Sequence, residues 1–321
     1  MNMLRAGVLI LALVVALCPA ANAAAKVVVP IYTPGAGGSA YLIGGAMATV
    51  LNKYIPEVQM MVEATGGTAV MVRYIAEKAE KGLPAFGIPE SRGIYMAYSG
   101  QPPFTKPLTM LRAVTFVHSS GLPLLVSKDS PIRSYNDLKG KRVGVGAAGS
   151  GLAQISATLL EAYGLTPKTY KALWLGHNEV TEGLQDGSID AGFISGGHPI
   201  PAVQQLAFEK DIRIIPVDED ILKKILQNNP YFFKDLIKPG TYKGIAQDIP
   251  SLGFGTLFAT HSGLELELVY KITRTLYEHR EELATIAPYA REMTFRNALA
   301  TIAFPLHPGA VKYYKENKVM K

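Results

Sequence analysis

The feature of this sequence that most limits its fold is a repeated order: a short β-branched run, a loop of small residues, and a helical stretch. Strands that alternate with helices in this way form βαβ units, in which helices cover a mostly parallel sheet. The sequence therefore predicts the α/β fold class. The predicted strands are 26–32, 58–63, 85–88, 141–146, 172–175, 191–194 and 213–217, and the apolar stretch 111–126 is also strand-like. The predicted helices are 41–53, 69–81, 152–163, 179–186, 200–208 and 265–286, with another from residue 295.

Length and composition exclude several classes of protein. The 321 residues suit two units of about 100–200 residues each, and a hydrophobic content of 48% provides packed cores. The net charge of +6 comes without a block of Lys or Arg, so no nucleic-acid partner is predicted. The only cysteine is Cys18, which excludes a disulfide framework and a cysteine-based zinc cluster. No two of the six histidines have metal-ligand spacing, and no metal site is predicted.

Residues 1–23 have the three parts of a cleavable export signal. Arg5 supplies the positive charge, 7–17 is an apolar run, and Ala21 and Ala23 are the small residues that precede cleavage. A membrane anchor is the alternative, but the run is shorter than the roughly 20 apolar residues that span a bilayer. The sequence predicts a signal peptide at 1–23 and a periplasmic location. Cys18 would leave with this signal.

Four loops rich in Gly, Ser and Thr each follow a strand and precede a helix. The first amide groups of a helix have no partner within the helix, and the aligned peptide dipoles give them partial positive charge. Such helix starts bind carboxylates or phosphates, and in open α/β sheets they gather at the carboxyl ends of the strands. The alternative is that these residues only form caps and turns. The four loops are 37–39, 65–68, 149–151 and 196–198.

Two motifs of the sequence are typical of enzymes. Residues 144–149 spell G-x-G-x-x-G after a strand, but the next strand runs into 174–177 without the carboxylate that a dinucleotide site requires. No cofactor is therefore predicted. Ser150 with a distant histidine would form a hydrolase triad, and the sequence leaves this alternative open. Trp174, the only tryptophan, is expected in the core.

Four stretches carry a resemblance to a known family. They are GAGGSAY at 35–41, SYNDLKGKRVGVG at 134–146 with GSG at 149–151, PGTY at 239–242, and above all PLHPGAVKYY at 305–314. With these stretches, the chain after the signal resembles the TAXI family of solute-binding receptors, which serve TRAP transporters.

The resemblance implies a two-lobed, type II-like periplasmic-binding-protein fold, in which each lobe is a mixed sheet flanked by helices. The first lobe would comprise 24–117 plus 254–321, and the second 118–253, with the chain crossing the hinge at 111–126 and 251–260. It implies a receptor without enzymatic activity. Such a receptor captures a small carboxylate (a dicarboxylate, a 2-oxo acid or a glutamate-like solute) by lobe closure. It then delivers this small organic anion to the TRAP-type permease subunits of a secondary active transporter.

By position, residues in each of the four loops match the family's binding loops. Two further predicted binding residues, Ser91 and Arg92, lie at the start of another helix. Arg92 replaces a polar or acidic residue and would either pair a second carboxylate or be a solvated surface charge. His307, in the C-terminal tail, is expected to be structural. One alternative is a sensor receptor that feeds a signalling kinase. A periplasmic hydrolase is a less favoured alternative. The predicted ligand-binding residues are Gly38, Ser39, Tyr41, Thr65, Gly67, Thr68, Ser91, Arg92, Ser150, Gly151, Gly197 and His198.

Overall fold

A computed structural model describes residues 26–34 and 39–321. The predicted signal peptide with Cys18, and the predicted binding residue Gly38, lie outside the described residues. The strands are β1 (Val27–Thr33), β2 (Val58–Ala64), β3 (Phe86–Gly87), β4 (Leu111–Gly121), β5 (Leu124–Ser127), β6 (Arg142–Gly144), β7 (Lys171–Leu173), β8 (Ala191–Phe193), β9 (Ile212–Ile215), β10 (Phe232–Ile237) and β11 (Ile249–His261). The helices are α1 (Ser39–Tyr54), α2 (Thr68–Glu80), α3 (Ser91–Ser99), α4 (Gly151–Ala162), α5 (His177–Asp186), α6 (Pro201–Glu209), α7 (Glu219–Asn228), α8 (Leu266–Glu278), α9 (Arg280–Ile286) and α10 (Pro308–Glu316).

The strands form two mixed sheets, which confirms the predicted α/β fold class. In the first sheet the order is β10-β11-β3-β1-β2, and β4 pairs with β11. Strand β1 runs parallel to β2 and β3, whereas β11 is antiparallel to β3, β4 and β10. In the second sheet the order is β7-β6-β8-β5-β9, with β6 parallel to β7 and β8. Because helices follow the parallel strands, they cover both sheets.

Strands β4 and β11 connect the two halves of the molecule. They pair from Gly253 opposite Gly121 to His261 opposite Leu111. After β4 the chain reaches β5, in the second sheet, within a few residues. Along β11, Leu252 packs in the core of the second sheet, whereas Phe258 packs in the core of the first. The strand therefore passes from one core to the other.

Each sheet is buried between two apolar clusters. In the first sheet, α1, α8 and α10 pack on one face, and α2 and α3 pack on the other. In the second, α4 and α7 cover one face, and α5 and α6 cover the other. The C-terminal helix is fixed by Tyr314, which is fully buried and donates its hydroxyl to the carbonyl of Val114 at 2.9 Å. None of the helices within 26–34 and 39–321 has the length and hydropathy needed to cross a bilayer.

Two predictions about the chain were wrong. The helix expected from residue 295 is a series of turns up to residue 301, and α10 begins only at Pro308. Here the side chain of Asn297 donates to the carbonyl of Glu292 at 3.0 Å, a local bond that competes with helix formation. Trp174, expected in the core, is 55% exposed because it follows β7, a short strand at the edge of its sheet.

Candidate functional site

Six helices begin at the carboxyl ends of parallel strands, three from each sheet. In the first sheet α1, α2 and α3 follow β1, β2 and β3, and in the second α4, α5 and α6 follow β6, β7 and β8. The carboxyl ends of the strands in the two sheets face each other, since Arg92 Nη1 on α3 donates to Gln154 Oε1 on α4 at 2.8 Å. The helix starts of both sheets thus meet along one cleft, which is where ligands bind in this class of fold.

Three of the predicted loops, and the start of α1 with Ser39 from the fourth, divide into two pairs along this cleft. At one end, the loops at 65–68 and 149–151 meet across a cavity of about 10 Å³, the size of one water molecule. At the other end, the start of α1 faces the loop at 196–198 across a cavity of about 600 Å³. Only the larger cavity has the volume of a small-molecule site.

The larger cavity, here called the cleft cavity, is lined by the starts of α1, α5 and α6 and by the ring of Tyr289. Two predicted residues, Ser39 and Gly197, line it. Gly197 is required there because a Cβ atom would lie 2.8 Å from the ring of Tyr289. The lining residues are Ser39, Leu42, His177, Asn178, Thr181, Glu182, Gln185, Ser195, Gly196, Gly197, Ile200, Pro201, Ala202, Gln205, Leu206, Glu209 and Tyr289.

The cleft cavity offers hydrogen-bond donors without a basic side chain. None of its described lining residues is Lys or Arg, and residues 35–38, which precede α1, are Gly-Ala-Gly-Gly. Helix amides and the side chains of Ser39, Asn178 and Ser195 remain as groups suited to an anion. The carboxylates of Glu182 and Glu209 also line the cavity. An anionic ligand would therefore be bound by dipoles and hydrogen bonds.

His177 is a cavity residue that the sequence reasoning missed. Its Nε2 accepts from the backbone amide of Ser195 at 3.4 Å, and burial lowers the pKa of the imidazole. The ring is therefore neutral near pH 7, and its proton lies on Nδ1. The available signal was its position as the first residue of the helix after β7.

The second predicted loop uses its polar groups within the protein. Thr65 Oγ1 donates to the carbonyl of Thr33 at 2.9 Å, which ties the loop to the end of β1. Gly67 caps α2 with φ of 129°, a conformation that favours glycine. Thr68 is buried and lines the small cavity. In the first loop, Tyr41 is 38% exposed on α1 and is not among the residues that line the cleft cavity.

The third predicted loop begins α4. Ser150 Oγ accepts from the backbone amide of Ala153 at 3.1 Å, so this side chain is the N-cap of the helix. Among the described residues, no histidine lies within hydrogen-bond distance of Ser150. Gly151 follows as the first helical residue and lines the small cavity.

Ser91 and Arg92 lie at the start of α3 with different partners. Ser91 is 1% exposed, donates to the carbonyl of Tyr231 at 2.9 Å and accepts from the amide of Gly255 at 3.0 Å. Its hydroxyl therefore joins α3 to β11. Arg92 is partly buried and points across the cleft to Gln154, at the end opposite to the cleft cavity.

His198 is held by two residues that the sequence reasoning missed, Asp235 and Tyr242. Its Nε2 lies 2.9 Å from Asp235 Oδ2, and its Nδ1 lies 2.7 Å from Tyr242 Oη. The Tyr242 hydroxyl also accepts from the amide of Ile200 at 2.9 Å. Because a carboxylate oxygen accepts, Nε2 of the imidazole donates to Asp235. Both ring nitrogens anchor the loop that lines the cleft cavity.

Comparison with solved structures identifies the fold. The chain is similar to a structure described as a periplasmic transporter, with a TM-score of 0.54, 14% identity, and coverage of 91% of this chain and 92% of the other. A TctC solute-binding protein from Polaromonas gives a TM-score of 0.51 at 16% identity, covering 84% and 88%. A Xanthomonas citri protein solved with ATP gives 0.50 at 12% identity, covering 92% and 98%. The molecule thus has the fold of two-lobed periplasmic binding proteins.

The sequence itself matches a family model over most of its length. The model is described as the NMT1-like family, and it matches residues 31–317. This range contains every element from β2 to α10 and all of the helix starts that form the cleft. The chain belongs to the NMT1-like family.

Proposed function

We propose that this protein is a periplasmic receptor that captures a small carboxylate in the cleft cavity and delivers it to a membrane permease. The observation that carries the proposal is the meeting of three helix starts, one from the first sheet and two from the second, around a cavity of about 600 Å³. A ligand that contacts both sheets stabilises the closed arrangement of the two lobes. The fold shared with a TctC solute-binding protein supports a binding role.

The solute class follows from the donors in the cavity. Helix starts favour a negatively charged group, and the absence of Lys and Arg from the described lining limits how much negative charge can be compensated. A dicarboxylate, a 2-oxo acid and a glutamate-like solute each fit if α1 binds one polar end and α5 or α6 binds the other. Arg92 lies at the opposite end of the cleft, so the amides would bind a second carboxylate.

The partner and the location rest on the sequence. The resemblance to TAXI receptors favours a TRAP-type permease driven by an ion gradient, and the predicted signal at 1–23 favours export to the periplasm. The likeness to TctC makes a tripartite transporter of the TctC type a second candidate. A sensor kinase is a third. Capture of the membrane partner with the immobilised receptor, followed by mass spectrometry, distinguishes a permease subunit from a kinase.

The first test is a thermal melt of the protein without its signal, after denaturation and refolding to remove bound ligand. The panel contains glutamate, glutamine, 2-oxoglutarate, succinate, malate, citrate, pyruvate and aromatic acids. A ligand at about 100 times its Kd adds roughly 2.7 kcal/mol to the free energy of unfolding, which raises Tm by several degrees. One acid should produce such a shift. If none does, and the protein as purified carries no acid either, the carboxylate assignment is wrong.

The hydrolase alternative has its own test. The proposal predicts that an acid which raises Tm is recovered unchanged after prolonged incubation with the protein. Turnover that disappears in Ser150→Ala would instead support the hydrolase, because this substitution removes the only hydroxyl that the sequence offered as a nucleophile.

A further inference from the structure

The small cavity between α3 and α4 contains a carboxyl group that the sequence reasoning passed over. Glu90 immediately precedes α3 and lines this cavity together with Thr68 of α2 and Gly151 and Gln154 of α4. Its Oε2 atom is buried and has no hydrogen-bond partner within the described residues. A carboxyl group from the first sheet is therefore enclosed by the edge of the second.

Two glycines leave room for this carboxyl group. A Cβ atom on Gly93, in the first turn of α3, would lie 2.2 Å from Glu90 Oε1. A Cβ atom on Gly151, the first residue of α4, would lie 3.2 Å from the same oxygen. Side chains at these positions would displace the carboxyl group or separate α4 from α3. Glu90 and Gly151 thus form the closest part of the contact between the two edges, next to the bond from Arg92 to Gln154.

The surroundings of Glu90 favour its neutral form. Burial raises the pKa of Glu90, while the amides of Gly93 and Arg92 and the charge of Arg92 lower it by a smaller amount. The other groups that face it bring no cation, since α2 contributes Thr68 and α4 contributes Gly151 and Gln154. From the remaining neighbours, β11 contributes Thr256 and the segment before β10 contributes the phenol of Tyr231.

We infer that Glu90 couples closure of the cleft to the uptake of a proton. When α4 moves away from α3, the carboxyl group of Glu90 faces water, and when the two edges meet it is buried in the small cavity. Since burial disfavours the charged form, a closed protein binds a proton at Glu90 more tightly than an open one. By linkage, a lower pH then favours the closed form and slows release of the solute.

This inference rests on the proposed function only for the existence of an open and a closed state. The pH dependence has a definite sign. Below the ordinary pKa of 4.5, Glu90 is neutral in both the open and the closed state, so its ionisation does not oppose closure. As the pH rises from 4.5 to the higher closed-state pKa, closure requires the uptake of a proton and becomes less favourable. Affinity for a solute should fall by up to about tenfold for each pH unit in this window.

The experiment compares the wild type with Glu90→Gln, which has the same shape and no titrating proton, and with Glu80→Gln as a matched control. Glu80 is exposed at the end of α2, away from the cleft. Without any solute, small-angle X-ray scattering and Tm are recorded between pH 4.5 and 8. The wild type and Glu80→Gln should expand and lose stability as the pH rises. Glu90→Gln should stay compact and become more stable than the wild type near pH 8.

A second variant tests the same contact from the other side. Gly151→Leu inserts a side chain against the carboxyl group and should keep the protein expanded at every pH. The inference is overturned if Glu90→Gln shows the same pH dependence of radius and Tm as the wild type, or if the wild type shows none. Because no solute is present, these outcomes are independent of the acid panel. If the protein binds no acid but still shows this pH dependence, the proposed function is wrong and the inference about Glu90 stands.

Discussion

Serines and glycines at the helix starts have different roles that look alike in the sequence. Ser39 lines the cleft cavity, whereas Ser150 caps α4 and Ser91 joins α3 to β11. Each stands in a similar polar loop, and only its partners distinguish a ligand contact from a structural bond. The family positions therefore do not distinguish which hydroxyl remains available to a solute.

The cap at Ser150 gives a prediction at this scale. Ser150→Ala removes the acceptor for the amide of Ala153 and should cost about 1 kcal/mol of helix stability, which lowers Tm by roughly 2–4 °C. Thr158→Ala is the control, because its hydroxyl only adds a bond to the carbonyl of Gln154 within the same helix. If Ser150→Ala weakened binding of the panel acid and left Tm unchanged, the side chain would be a ligand contact.

His307 gives a prediction about pH. It is buried at the start of α10, where its Nδ1 accepts from the amide of Gly309 at 3.1 Å, and burial lowers its pKa to about 4. The unfolded chain takes up a proton near pH 6.5, whereas the folded chain does so only near pH 4. The stability from neutral His307 is therefore complete above pH 6.5 and is lost as the pH falls toward 4.

His307→Asn keeps a capping side chain and removes the titration. Its Tm should fall less steeply than that of the wild type between pH 6.5 and 4.5. His279→Asn, at a partly exposed histidine, is the matched control for the loss of one imidazole. Equal slopes in all three proteins would show that folding does not lower the pKa of His307.

At the scale of elements, the sequence predicted most strands and helices. It did not predict which helix starts lie next to each other along the cleft. Alternating runs and small-residue loops placed the starts of α1, α2, α4 and α5 within about two residues. The division of the loops into two pairs follows from strand order, which the local pattern does not contain. Glu90 shows the same limit, since a carboxyl group beside Ser91 looks solvated until the opposite sheet edge covers it.

The position of Arg92 gives a prediction at this scale. Its bond to Gln154 joins α3 to α4 away from the cleft cavity, so Arg92→Ala should weaken closure without touching the solute. The affinity for a monocarboxylate and for a dicarboxylate should therefore fall by the same factor. Calorimetric titration of both solutes measures this. A loss confined to the dicarboxylate would mean that the guanidinium pairs with the second carboxylate.

The whole molecule consists of two sheets, and the long strands β4 and β11 of the first sheet lead to the second. Strand β11 runs from one apolar core into the other, and the helix starts of both sheets lie along the cleft between them. The length of the chain and the family resemblance anticipated this architecture. The bounds of 24–117 plus 254–321 and 118–253 remain the proposed limits of the lobes.

The most direct test of the account fills the cleft cavity and measures binding of the acid that shifts Tm. Thr181→Trp places a large side chain on α5 within the cavity, whereas Lys223→Trp places one on the exposed face of α7. Titration calorimetry should show binding weakened at least about 100-fold in Thr181→Trp, because steric exclusion removes contacts worth roughly 2.7 kcal/mol or more. Lys223→Trp should bind as the wild type does. Unchanged binding in Thr181→Trp, with its Tm preserved, would contradict the assignment of the cleft cavity as the solute site.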